Sequence, residues 1–173
     1  MNLLNSTLLI SLLFALFSPA KPDAAYIQNL CGKTEQPKIC SDCLNSGQGS
    51  QSAIGRGLAL IAVECAERNT KLMAQRVGNL VRSTPESTLK TLLNECWMST
   101  GYAAGNFPGI ARSVAAGDYG GGKSVLEITI RNVNMCMDNF KKNPSILVPS
   151  EVLAGTVAVT QDCRIVTQIL NNI

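Results

Sequence analysis

The sequence predicts an all-α fold, an up-down-up-down bundle of four helices in a single domain, and three observations predict it. Apolar residues recur at spacings of three and four in four separate segments, which marks one buried face per helix. Each segment is bounded by hydroxyl, proline or glycine punctuation. Of the 173 residues, 46% are hydrophobic and 16% charged, enough apolar surface for a core.

Residues 26–48 hold three cysteines and form a short head. Asn45-Ser46-Gly47-Gln48-Gly49-Ser50 reads as a loop by composition, and the bundle follows over 51–173. The first bundle helix is expected over about 51–80, with Ile54, Leu58, Ile61, Cys65 and Leu72 on one face. Ser83-Thr84-Pro85-Glu86 has the chemistry of a helix start: a hydroxyl to cap, proline in the first turn and a carboxylate near the positive end of the dipole. Leu89, Leu92, Leu93, Cys96, Ala103 and Phe107 then form the second stripe. Gly101, Gly105, Pro108 and Gly109 predict that this helix is long but bent, or broken in two. Gly117-Asp118-Tyr119-Gly120-Gly121-Gly122 reads as a turn. Leu126, Ile130, Val133, Met137 and Phe140 make the third stripe, stopped by Lys141-Lys142-Asn143-Pro144. Pro149-Ser150-Glu151 restarts the chain, and Val152, Thr156, Val159, Cys163, Val166 and Leu170 make the fourth.

Residues 1–17 carry no charge and include Leu12-Leu13-Phe14-Ala15-Leu16-Phe17, followed by Ser18-Pro19-Ala20 with small residues at cleavage-type positions. This is expected to be a secretory signal peptide over residues 1–20, cut somewhere in 20–25 and leaving a domain over 26–173. The apolar run is too short for a membrane span, and no later segment reads as one. Seven cysteines follow, at 31, 40, 43, 65, 96, 136 and 163. In an oxidising route they read first as disulfides, and the odd number leaves at least one thiol free or paired between chains.

The chain contains no histidine, which removes the usual general base, the Ser-His-Asp and Cys-His constellations and the commonest zinc ligand. Glu64 and Glu67 are three apart, a spacing typical of a solvated helix face. Cys40-Ser41-Asp42-Cys43 has the C-x-x-C spacing of thiol oxidoreductases, but that chemistry expects an α/β context. There is no second close cysteine pair for a Cys₄ zinc site, and no phosphate loop. No catalytic residue, metal or cofactor is expected. The net charge of +3 comes from scattered residues, without the basic cluster that nucleic-acid binding requires.

Several segments in order resemble the plant invertase inhibitor and pectin methylesterase inhibitor family across the chain after the leader. They are Cys31-Gly32-Lys33-Thr34 with Cys40, Gly57-Leu58-Ala59-Leu60-Ile61, Leu93-Asn94-Glu95-Cys96, Gly117-Asp118-Tyr119 and Cys136-Met137-Asp138-Asn139-Phe140. The resemblance implies an N-terminal helical hairpin stapled by Cys31 with Cys40, and a second disulfide from Cys96 to Cys136. Cys65 and Cys163 are extra to the pattern. They read either as a third disulfide or as two buried thiols, with Cys43 as the candidate free thiol.

The resemblance further implies a secreted protein inhibitor in the cell wall, or alternatively the vacuole, that blocks a target enzyme's active-site cleft with bundle helices. The target is pectin methylesterase or an acid invertase. Invertase inhibitors of the family often carry Pro-Lys-Phe beside the turn between helices two and three. Here the stretch is Asp118-Tyr119-Gly120, which favours pectin methylesterase. Thr100 stands where the family commonly has tyrosine. Arg112, Asp118, Tyr119 and Lys123 are the expected target contacts, on helices two and three and their turn. A secreted structural or ligand-binding bundle that inhibits nothing is the remaining reading.

Overall fold

The chain forms six helices in the computed structural model, which describes residues 24–50 and 52–173. The expected signal peptide lies outside the described residues. The head is a helical hairpin of α1 (Ala24–Gly32) and α2 (Pro37–Ser46), and the bundle is α3 (Arg56–Ser83), α4 (Thr88–Ala116), α5 (Tyr119–Lys141) and α6 (Ser150–Leu170). In the bundle α3 packs on α4, α4 on α5, α5 on α6 and α6 back on α3, so the helices form a ring around one core. The hairpin lies against α3 and α6. Leu58, Leu93, Phe107, Ile110, Leu126, Phe140 and Ile169 fill the centre and are all buried.

The first bundle helix begins at Arg56, not at 51, because Gly55 at φ +48° turns the chain into it. Ile54 therefore precedes the helix and is 67% exposed. The buried stripe of α3 continues from Cys65 through Ala66, Thr70, Met73 and Val77, so Leu72 falls one position off it and faces outward. Ser83 and Thr84 close α3 instead of opening α4. Their hydroxyls donate to the Leu80 carbonyl at 3.2 and 2.7 Å. The N-cap of α4 is Ser87, whose Oγ accepts from the Lys90 amide.

α4 runs unbroken through Gly101, Gly105, Pro108 and Gly109. Pro108 lies on the exposed side, where solvent can serve the carbonyl that its missing N–H leaves free. The turn to α5 is shorter than the glycine-rich run suggests. Gly117 takes the left-handed conformation at φ +80°, with bonds back to Val114 and Ser113 that close α4. Asp118 then caps α5, its Oδ1 accepting from the Gly121 amide at 2.8 Å. Gly120, Gly121 and Gly122 belong to the first turn of α5. A side chain at Gly121 would overlap the capping carboxylate, so that glycine serves the cap.

Disulfides join Cys31 to Cys40 within the hairpin and Cys96 to Cys136 between α4 and α5. The third bond corrects an expectation: Cys65 pairs with Cys43, Cα atoms 6.1 Å apart, and the free thiol is Cys163. Periodicity places Cys65 and Cys163 each on an apolar face, but α3 buries two faces. One meets the hairpin and carries Cys65, while Cys163 points from α6 into the bundle core. Burial, with the Asp162 charge second, pushes the Cys163 thiol up to about 12, so it is an inert small hydrophobe. The C-x-x-C pair is spent on two different disulfides and carries no dithiol chemistry.

The seam between α3 and α6 includes a buried carboxyl. Asp162 accepts from Asn69 Nδ2 at 2.7 Å, and burial raises its pKa above 3.8 against the opposing effects of that bond and the Arg68 charge. A carboxyl raised on folding contributes stability that is fully present below its unfolded pKa and lost as pH rises through the folded value. Asp162→Asn keeps an acceptor for Asn69 and has no charge to bury. It is expected to raise the melting temperature at pH 7 and to leave it nearly unchanged at about pH 3.5, as read by thermal melts at the two pH values.

Candidate functional site

Glu64 and Glu67 lie on the solvated face of α3, where Glu67 pairs with Lys71 at 2.6 Å. Among the described residues no three His, Cys, Asp or Glu side chains gather in a way that could hold a metal ion. No helix there is long and apolar enough to cross a membrane.

What stands out is the outer face shared by α4 and α5. Large apolar side chains sit there out of phase with the buried stripes: Met98 is 55% exposed, Tyr102 67% and Met135 52%. They edge a groove of about 370 Å³ completed by Glu95, Ser99, Asn132 and Asn139. Along α4 this side continues from the exposed Met98 and Tyr102 to exposed Gly105, partly buried Gly109 and exposed Arg112, at spacings of four, three, four and three. A Cβ at Gly101 or Gly105 would meet nothing within 4 Å. The strip beyond Tyr102 is therefore bare backbone, open to the close approach of another chain. Only the end of the Arg112 guanidinium folds back over Gly109, 4.0 Å from where its Cβ would be.

The face is held rigid from beneath. The Cys96–Cys136 disulfide brings the α4 and α5 backbones to a Cα–Cα distance of 4.5 Å at the level of the groove. One register further, Asn106 Nδ2 donates to Thr129 Oγ1 at 3.0 Å, and Thr129 in turn donates to the Val125 carbonyl. Thr100 is fully buried on the inner side, its hydroxyl donating to the Cys96 carbonyl at 2.8 Å, so it takes no part in the surface. An exposed tyrosine, two adaptable methionines and a side-chain-free strip on a braced scaffold suit recognition of a protein surface.

Of the four residues expected as contacts, Arg112 lies on this strip. The others cluster at the α4–α5 turn, about 22 Å along the axis from Tyr102. Asp118 caps α5, Tyr119 is half-buried against the core, and Lys123 Nζ donates to Asn171 Oδ1 at 2.8 Å, tying α5 to the end of α6. Met98, Tyr102 and Met135 were not singled out by the stripes. Their signal was available as large apolar residues on the polar side of a helix otherwise patterned by Leu92, Cys96, Ala103 and Phe107.

Comparison with known proteins gives a consistent result. The family model described as plant invertase/pectin methylesterase inhibitor matches residues 25–173. A pectinesterase inhibitor of Actinidia deliciosa is 23% identical over 175 residues, covering 96% of this chain and 94% of that protein. A cell wall / vacuolar inhibitor of fructosidase 2 from Arabidopsis thaliana is 24% identical over 170 residues, again covering 96% and 94%. Among solved structures, mutant form A of a pectin methylesterase inhibitor from Arabidopsis superposes with a TM-score of 0.70 at 21% identity. It covers 84% of this chain and 95% of that one, a likeness of fold.

Proposed function

The chain belongs to the plant invertase/pectin methylesterase inhibitor family, and we propose that it is a secreted inhibitor that docks the outer face of α4 and α5 into the active-site cleft of a pectin methylesterase. The observation that carries the docking surface is the braced apolar groove of Met98, Tyr102 and Met135 beside the bare Gly101–Gly105 strip. Such a face is costly to leave in water, and a convex helix pair fits a cleft. The action is obstruction, not chemistry, as in relatives that are themselves enzyme inhibitors. The missing Pro-Lys-Phe tripeptide and the pectinesterase inhibitor relative support pectin methylesterase as target. The fructosidase inhibitor relative supports acid invertase as the alternative. The apolar leader supports secretion through the oxidising route, into the cell wall or vacuole, with 26–173 as the working domain.

The test is residual activity of a pectin methylesterase and of an acid invertase, each titrated with the oxidised chain at mildly acidic pH. Pectin methylesterase activity is expected to fall to near zero at about one inhibitor per enzyme, with invertase unaffected. Loss of invertase activity alone would exchange the target, and loss of neither would overturn the inhibitor reading.

A further inference from the structure

Across the bundle from the proposed docking face lies a second surface with a different character. Between Glu67 and Glu86 the sequence contains no acidic residue, while Arg68, Lys71, Arg76 and Arg82 all fall there on α3. At 100° per residue these four point to one side of the helix and are exposed, over about 21 Å. Lys71 is neutralised by Glu67, but Arg68, Arg76 and Arg82 belong to no ion pair among the described residues. Arg68 donates to the Cys65 sulfur and its charge also acts on the buried Asp162, while Arg82 donates to the neighbouring Asn79 amide oxygen, so Arg76 and Arg82 carry the charges that no carboxylate offsets among the described residues. The adjoining side of α6 adds no exposed charge from Val152 to Cys163.

The ridge also has relief. Leu72, the residue that falls off the buried stripe, stands 41% exposed between two shallow depressions. One is lined by Glu64, Glu67, Arg68, Lys71 and Gln75, so its charges balance, and the other by Asn69 and Arg76 with Ala154, Gly155 and Ala158. A small apolar platform flanked by guanidinium and amide groups matches an acidic sugar. The ring's C–H face can lie on Leu72 and the alanines while its carboxylate meets a guanidinium fork.

We infer that this ridge of α3, with Arg68, Arg76 and Arg82 as anion contacts, binds de-esterified pectic polysaccharide, a polymer of uronate sugars. The choice of polymer rests on the proposed target. Hydrolysis of a methyl ester breaks the acyl C–O bond with water and leaves methanol and a carboxylate, so a pectin methylesterase works along a chain that it turns into a polyanion. An inhibitor holding that polymer on α3 while α4 and α5 face the enzyme would concentrate where de-esterification has begun, an effect of tethering.

The experiment measures retention of the oxidised chain, without residues 1–23, on immobilised polygalacturonate, with fully methyl-esterified pectin and double-stranded DNA as comparison probes. No enzyme is present, so the result is independent of the inhibition assay. The expected result is binding to polygalacturonate that weakens with added salt, little binding to the esterified polymer, and weaker binding to DNA at the same salt. The triple variant R68Q/R76Q/R82Q is expected to lose at least tenfold in affinity for polygalacturonate, with unchanged inhibition of dissolved enzyme and only a small fall in melting temperature, from loss of the Arg68 charge that acts on Asp162. Equal binding to esterified pectin, DNA binding as tight as polygalacturonate binding, a triple variant that binds like the parent, or no retention would each overturn the inference. Retention by a chain that inhibits no enzyme would sink the inhibitor reading but not the polyuronate site.

Discussion

Gly105→Leu is expected to make the protein slightly more stable and a far poorer inhibitor. Glycine inside a helix costs about 1 kcal/mol relative to a good helix former. At position 105 an added Cβ enters open space on an exposed part of the helix, so a gain of about 0.5–1 kcal/mol should appear, a rise of about 1–4 °C for a domain of this size. The same side chain would stand where the partner's surface comes closest to the α4 backbone. Obstruction at the centre of an interface is expected to cost 2 kcal/mol or more, roughly 30-fold in the inhibition constant. The opposite signs make the result diagnostic, because a variant that merely misfolds loses both properties. Tyr102→Ala tests the apolar anchor in the same way. The side chain is two-thirds exposed, so its loss should leave the melting temperature within a degree or so and weaken inhibition by a comparable factor. Inhibition that survives both changes would move the docking surface off α4.

The largest loss of stability is expected from removing the Cys96–Cys136 bond. Its ends are 40 residues apart in sequence, and chain-entropy reasoning assigns such a cross-link about 4 kcal/mol, against about 3.4 kcal/mol for the 22-residue separation of Cys43–Cys65 and about 2.6 kcal/mol for the 9-residue hairpin staple. C96S/C136S should therefore lower the melting temperature by about 8–16 °C. Because this bond also sets the spacing of α4 and α5 beneath the groove, the variant should inhibit less well at temperatures where it is still folded. A C43S/C65S variant is the control. It is expected to melt lower as well, but its bond ties the hairpin to α3 on the other side of the bundle, and inhibition by the folded fraction should be preserved.

Much of the architecture could be read from local patterns. The stripes of Leu92, Cys96 and Phe107, of Leu126, Val133 and Phe140, and of Val152, Val159 and Val166 follow from the 3.6-residue period, and each is buried. Boundaries were less legible, because the same residue types open and close helices. Ser83 and Thr84 look like a cap for the helix that follows, yet they bond backward to Leu80. The glycines after Asp118 look like a loop, yet the cap that Gly121 accommodates lets the helix begin at Tyr119. The candidate site was the least legible part. An exposed Met98 or Tyr102 becomes evidence only when Met135 of α5 is seen beside it and nothing covers the pair.

Composition and periodicity by themselves determined that the chain is all-helical, built on four amphipathic stripes, rich in cysteine and without the histidine on which most acid-base sites depend. The order of short segments determined its family. Tertiary structure decided which cysteine Cys65 meets, because a helix packed on two sides has two apolar faces and periodicity reports only that a residue is buried, not by what. It also decided that α4 and α5 expose a shared groove and that Arg76 and Arg82 of α3 stand on the opposite side without an ion-pair partner among the described residues. Both are properties of the packing between helices, which no single helix's pattern contains.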